Sequence, residues 1–330
     1  MKNNFKKIFI TGGAGYVGSS LVPLLLDRGY KITVLDLLIY GDDVLPINPN
    51  LKIIKGDIRD KNLLKKSIPG HDVVIHMACI SNDTSFDLDK VLSKKINLDA
   101  FRPLVEVSKT SSVKRFIYTS TSSVVGPRKE NKVTEDFPLK PITGYNTFKA
   151  DCEKILAEYE SENFTTVIIR PATVCGYSPR QRLDVVVNLL TNAAFNKRKV
   201  NIFGGDQLRP NIHVRDICDI FIKVTEAPVE KIRGEVFNSG SKNYTVNQIT
   251  EIIKKVIGND VEIIRQPSDD NRSYHICSEK INKQLGFFPK YTVENAVKDL
   301  KNAFEKKLFQ NPLDNAKYFN VKLMSNLKIQ

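Results

Sequence analysis

"KIFITGGAGYVGSSL", Lys7 to Leu21, decides the fold. Its first five residues, rich in β-branched and aromatic side chains, read as a buried strand. Gly12, Gly15 and Gly18 come directly after it, and Tyr16–Arg28 reads as a helix. Strand, glycine turn and helix in that order make a dinucleotide-binding turn. Gly12 permits the tight bend, Gly15 lets the backbone approach a pyrophosphate, and Gly18 lets helix pack on strand. The helix start, with Tyr16 and Val17 in the turn, offers N–H groups and a positive dipole end to the anion.

Further short apolar runs follow: "KITVLD" (Lys31–Asp36), "LKIIKG" (Leu51–Gly56), "DVVIHM" (Asp72–Met77), "RFIYTS" (Arg115–Ser120) and "TVIIR" (Thr166–Arg170). Helical patterns lie between them, over Lys61–Ser67, Leu88–Thr110 and from near Tyr145. This alternation predicts an α/β, Rossmann-type, doubly wound parallel sheet covered on both faces. Beyond Arg170 the pattern loosens into helices over Arg182–Asn196 and Val214–Glu226 and strands at Lys199–Phe203, Glu235–Gly240 and Val261–Gln266. The division expected is a dinucleotide-binding domain over 1–174 and a smaller α/β substrate lobe over 175–330, with exchange of segments allowed. Residues 311–330 read as a surface-wrapping tail.

Asp36 closes the second strand. A carboxylate there accepts hydrogen bonds from the adenine ribose and repels a 2′-phosphate, and no Arg follows closely. The cofactor is therefore read as NAD rather than NADP. After the third strand, Asp57 and Ile58 are placed to flank the adenine, although Asp57 fits a helix N-cap equally well.

The 330 residues carry a formal net charge of +13. The lysines are scattered and no run interleaves them with aromatics, so a nucleic-acid footprint is missing. Attraction of a polyanionic small molecule remains. Five cysteines, odd in number, far apart and without C-x-x-C, argue against a disulfide framework or a zinc site and for a reducing compartment. No apolar leader segment and no membrane-length apolar run is seen, so the expected location is cytoplasmic.

Tyr145 and Lys149 form Y-x-x-x-K. That spacing puts both on one helix face. A phenol is a poor base at neutral pH, and a neighbouring ammonium favours the phenolate. Upstream stands a hydroxyl cluster, "YTSTSSVVG" (Tyr118–Gly126).

With "TGGAGYVG", "HMACIS" (His76–Ser81), "INLDAF" (Ile96–Phe101), "YNTFK", "RPATVCGYSPR" (Arg170–Arg180), "RPNIHVRD" (Arg209–Asp216) and "DDNRSYHICSEKINKQLGFFPK" (Asp269–Lys290), the chain resembles an extended short-chain dehydrogenase/reductase of the nucleotide-sugar epimerase/dehydratase family over nearly its whole length. The resemblance implies a catalytic hydroxyl at Thr121, working with Tyr145 and Lys149. It implies that Lys149 also holds the nicotinamide ribose and that Ala78 passes along the cofactor. Asn97 is either an ordering residue behind the site or a buried structural Asn. Ser122, Ser123, Asn188, Arg209 and Arg272 are the implied substrate contacts, the arginines clamping a diphosphate. Arg180 and Arg182 are further candidates for the sugar or phosphate. His213 is expected to brace its loop, since no second ligand has metal-binding spacing.

Two departures from the family pattern stand out. Val125 replaces the usual Tyr, and Ser122 and Ser123 occupy positions where dehydratase-like members carry acids. With no carboxylate there, the reading turns from elimination toward epimerisation of a nucleotide-diphosphosugar, or toward a net 4-dehydrogenase or 4-ketoreductase. The resemblance also implies a homodimer formed through the helices near Leu88–Thr110 and Tyr145–Glu160.

Overall fold

The computed structural model describes residues 5–41, 43–130, 132–268 and 273–327. Seven parallel strands form the main sheet: β1 (Lys7–Thr11), β2 (Lys31–Asp36), β3 (Leu51–Lys55), β4 (Val73–His76), β5 (Arg115–Thr119) and β6 (Thr165–Pro171), joined later by β10. The remaining strands are β7 (Thr173–Cys175), β8 (Lys199–Phe203), β9 (Leu208–His213), β10 (Glu235–Ser239), β11 (Lys242–Thr245) and β12 (Glu262–Gln266). The sheet order is β10-β6-β5-β4-β1-β2-β3. The connections reverse direction between β1 and β4, and the loops leaving those strands diverge into a crevice at the carboxyl edge.

Alternation along β1 divides the core. Ile8 and Ile10 point to one face and pack with Leu21 and Val22 of the helix Gly18–Leu26 and with Phe221 of the helix Val214–Glu226. Phe9 points to the other face and packs with Phe101, Leu104 and Leu156 from the helices Phe101–Thr110 and Gly144–Ala157. A third cluster joins Val187, Val200, Ile249 and Val297 away from the main sheet. There β8 pairs with β12, and β9 lies between β7 and β11.

Two glycines of the turn each stand against a particular obstacle. Gly12 has φ +74°, and a Cβ there would lie 2.6 Å from the backbone nitrogen of Ala78, just past β4. A Cβ on Gly18 would run into the backbone of Gly13. The turn thus needs Gly at Gly12 for conformation and at both positions for space.

The stretch Leu88–Thr110 is not one helix. It runs as Asp83–Leu88, Lys90–Lys94, a π-turn over Lys95–Asp99 and Phe101–Thr110. Asp89 is extended and caps the second piece through Leu92 N–H. The π-turn aims Asn97 at the loop after β4, where it accepts from Ile80 N at 2.8 Å and donates to Ile80 O at 2.9 Å. The helix expected from Arg182 starts only at Val186, because Val185 is extended. The end of the chain is not a mere surface wrap. Phe309 and Tyr318 are buried against Leu183 and Leu300, and Asn320 is 4% exposed.

Beneath the helix Gly144–Ala157 lies an ion pair with both side chains 5% exposed. Arg170, in β6, donates to Glu153 through Nε at 3.0 Å and Nη2 at 2.7 Å. Glu153 also accepts from Ser120 Oγ at 2.5 Å. Removing one partner of such a pair strands a buried charge. Glu153→Ala is expected to lower unfolding stability by about 3–5 kcal/mol, whereas Glu153→Leu combined with Arg170→Met costs much less. Urea denaturation of the three proteins measures this, and equal losses in the single and double variants would refute the assignment.

Candidate active site

The crevice at the carboxyl edge holds about 400 Å³, within the ~300–1,000 Å³ of small-molecule sites. Its walls carry Gly12, Gly15, Tyr16, Val17, Asp36, Asp57, Ile58, Ala78, Thr121, Ser122, Ser123, Tyr145, Lys149, Arg180 and Arg182. One topological edge thus gathers most of the residues singled out in the sequence.

At one end is the glycine turn. No side chain caps the helix Gly18–Leu26, which leaves the helix start to an anion. Beside it Asp36 accepts from Ala14 N at 3.0 Å and Leu38 N at 2.9 Å. Burial raises the Asp36 carboxyl above its ordinary range, and the two N–H donors and Arg180 work against that rise. Asp57 accepts from the backbone N and the guanidinium of Arg59. The cap of the next helix is Asp60, which accepts from Asn62 and Leu63 N–H, so the N-cap reading of Asp57 is corrected.

At the other end is the hydroxyl cluster. Thr121 caps the short turn Ser122–Val125 and accepts from Ser123 N at 3.3 Å. Tyr145 stands in the first turn of the helix Gly144–Ala157, and Thr143 caps that helix through Asn146 N–H. Lys149, 4% exposed, donates to Thr119 O at 2.8 Å, and its Nζ lies 5.8 Å from the centre of the Tyr145 ring. Burial pushes the Tyr145 hydroxyl well up; Cys79 and Asp83 push the same way, and Arg182 pulls it down. The sequence assigned that downward pull to Lys149. Arg182 is held by Asp184, at 2.5 Å from Nε, and reaches Ser81 Oγ at 3.3 Å.

Two expected substrate contacts, Asn188 and Arg209, lie off the cleft wall, and a third falls outside the described residues. Asn188 is fully buried and off the cleft wall. Its Oδ1 accepts from Gly176 N, and its Nδ2 donates to Tyr16 OH and Arg182 O. With that shell complete, it braces the turn rather than touching a ligand. Arg209 lies outside the cleft walls beside Tyr274, with Nη1 donating to Leu208 O. Arg272 lies outside the described residues. Val125 is 2% exposed and packs with Val124, Val133 and Ala150, off the cleft wall. His213 caps the helix Val214–Glu226 through Arg215 N–H. Among the described residues no group of three His, Cys, Asp or Glu could hold a metal, and no helix is long and apolar enough to cross a membrane.

The structure adds residues that the sequence did not single out for the site. Asp83 and Cys79 line the cleft beside Tyr145, and one Asp83 oxygen is buried without a partner. Asn82, followed by an acid, is a capping signal that could have marked this short helix. Asn320 and Met324 close the wall from the far end of the chain.

The sequence profile of the NAD dependent epimerase/dehydratase family matches residues 8–240. The chain belongs to that family. It is therefore an NAD-dependent enzyme of the extended short-chain dehydrogenase/reductase type, and the glycine turn and Asp36 are the parts of the cleft that fit the dinucleotide. It is 29% identical over 304 residues to the low-salt glycan biosynthesis protein Agl12 of Haloferax volcanii, covering 88% of this chain and 96% of that one. It is 28% identical over 301 residues to a dTDP-glucose 4,6-dehydratase of Streptomyces niveus, covering 86% and 88%. The UDP-glucose 4-epimerase of Thermotoga maritima, solved with UDP-glucose, superposes with a TM-score of 0.82 at 27% identity, over 92% of this chain and 100% of that one.

Replacing Asp36 by Ala removes the charged acceptor beside the glycine turn. NAD affinity is expected to fall by about 1.5–3 kcal/mol, roughly ten- to a hundredfold. Discrimination against the 2′-phosphorylated dinucleotide should narrow. Calorimetric titration with both dinucleotides reads each number, and an unchanged ratio would contradict the reading of Asp36 as the ribose acceptor.

Proposed function

We propose that the enzyme is a nucleotide-diphosphosugar 4-epimerase acting by transient oxidation at C4. The observation that supports this most is the shared cleft wall on which Thr121, Tyr145 and Lys149 stand with the dinucleotide turn. In this reading Tyr145, as phenolate, takes the proton of the sugar's C4 hydroxyl. Thr121 orients that oxygen, Ser122 and Ser123 add contacts to the sugar, and Lys149 holds the nicotinamide ribose. When bound, NAD supplies a hydride acceptor for C4 that can return the hydride to either face of the 4-keto carbon. The sugar turns over in the cleft between the two transfers. The proton then returns from Tyr145 to the C4 oxygen, and the cycle closes with no net redox change.

Burial opposes the phenolate, and the positive charge of Arg182 works against that rise. The sign of its effect is fixed. Arg182→Met removes a cation that stabilises the phenolate, the Tyr145 pKa rises, and the acid limb of kcat/KM moves to higher pH. A pH–rate profile of the two proteins tests this, and an unmoved limb excludes the role for Arg182.

A second reading is favoured by one specific feature. Asp83 brings a carboxylate to the cleft from another loop, although Ser122 and Ser123 provide none after Thr121. A carboxylate near the sugar serves 4,6-elimination. A panel of UDP-, GDP-, dTDP- and CDP-hexoses, followed by NMR, separates the two. Inversion at C4 supports the epimerase, and a 4-keto-6-deoxy product supports the dehydratase. Absence of C4 inversion in every sugar would sink the epimerase reading. Tyr145→Phe is expected to lower kcat by about 10²–10⁴ in either case.

A further inference from the structure

The helix Asn320–Asn326 has one buried residue, Asn320. Its Oδ1 accepts from Arg180 Nη2 at 2.5 Å and from Tyr40 OH at 3.1 Å. Its Nδ2 donates to Ser81 Oγ at 2.9 Å, and its backbone N donates to Asp184 Oδ2 at 2.7 Å. These partners come from three separate loops around the crevice. Tyr40 follows β2 and Asp36, Ser81 follows β4, and Arg180 and Asp184 lie between β7 and the helix Val186–Lys197. A single amide from the end of the chain therefore ties together the loops that border the cofactor cleft.

Arg180 shows what this knot holds in place. Its guanidinium carbon lies 3.4 Å from the centre of the Tyr40 ring, and its backbone N donates to Ser19 Oγ, next to the glycine turn. Its Nε is buried without a partner on the cleft wall. This cation stands beside the turn where a dinucleotide's diphosphate has its anion site. The rest of the segment is held by apolar contacts of Phe319 and Met324, both partly buried. Lys322, Ser325 and Asn326 are exposed, and Met324 is the one other side chain of this helix that reaches the cleft.

We propose that Asn320 is a positioning residue of the dinucleotide site, and that segment 319–327 is a bolt that keeps NAD in the cleft through successive turnovers. The dinucleotide leaves only after the bolt lifts, and the bolt lifts by breaking the four bonds of Asn320. Phe319 and Met324 add partial apolar contacts, and the four bonds of Asn320 are the polar hold on that opening, so their loss speeds it. This inference rests on NAD dependence and not on the epimerase reading. Retention suits either hydride-returning reaction, since both need the same dinucleotide reoxidised in place.

The experiment uses the full chain without any sugar. Protein is loaded with NAD, freed of excess, and challenged with a fluorescent etheno-NAD competitor. Asn320→Ala is expected to release NAD about tenfold faster or more, tenfold being roughly 1.4 kcal/mol. Hydrogen exchange on the unsubstituted protein gives a second reading that does not depend on how the variant folds. NAD should slow exchange of the amides of 320–326. Release at the unsubstituted rate, or no protection of those amides by NAD, overturns the proposal. Because no sugar is present, failure here leaves the 4-epimerase reading untouched.

Discussion

The buried pair Glu153–Arg170 is the constraint on which the rest of the site depends. Tyr145, Lys149 and Glu153 follow one another at four-residue spacing, so they form one stripe along the helix Gly144–Ala157. The lowest member of that stripe is fastened to β6 by two parallel hydrogen bonds and to the end of β5 through Ser120. Desolvating two charges costs several kcal/mol, and such a pair is no net source of stability against an apolar replacement. What it contributes is direction. It ties the stripe that carries Tyr145 to the strand ends from which the Thr121 loop leaves, since Thr121 follows Ser120 directly. A greasy contact in the same place would hold the helix as firmly and orient it less.

The second constraint is negative: the absence of a side chain at Gly12. Because its missing Cβ would fall 2.6 Å from Ala78 N, the loops after β1 and β4 can touch at the point where the sheet reverses its winding. The crevice opens beside that contact. The π-turn at Lys95–Asp99 serves the same edge from behind, as its Asn97 holds Ile80 by both backbone groups. π-turns of this kind gather at functional sites. Here the irregularity has a readable purpose: it steadies the segment that carries Cys79, Ser81 and Asp83 into the cleft.

The sheet, the glycine turn, Asp36 and the Tyr145–Lys149 stripe were legible because each is encoded locally. A period of two, a period of 3.6 or a run of Gly is enough to see them. Asn188 is implied by the resemblance, and its actual partners come from distant segments that spacing does not encode. The shift from Arg182 to Val186 put Asn188 in the first turn, against Gly176 and Tyr16. Asp83 sits in a short polar stretch and Asn320 among apolar neighbours, and only the packing of distant segments gives them a place. Arg182 was seen as a charge, but its influence on Tyr145 depends on Asp184 and on burial, which spacing does not encode.

The position of β10 has a consequence for how the protein is made. Glu235–Ser239 fills the place beside β6, and every pairing between them is parallel. Until residue 239 has left the ribosome, β6 is an open edge. That edge is the segment "TTVIIRP", buried in the finished molecule except at its last residue and dense in β-branched side chains. Exposed apolar edges of this sort template pairing with other chains. Synthesis therefore passes through a long interval, from β6 to β10, in which the nascent chain carries its stickiest strand uncovered. A chain stopped short of β10 keeps Thr121, Tyr145 and Lys149, yet it carries an uncovered apolar edge that invites aggregation.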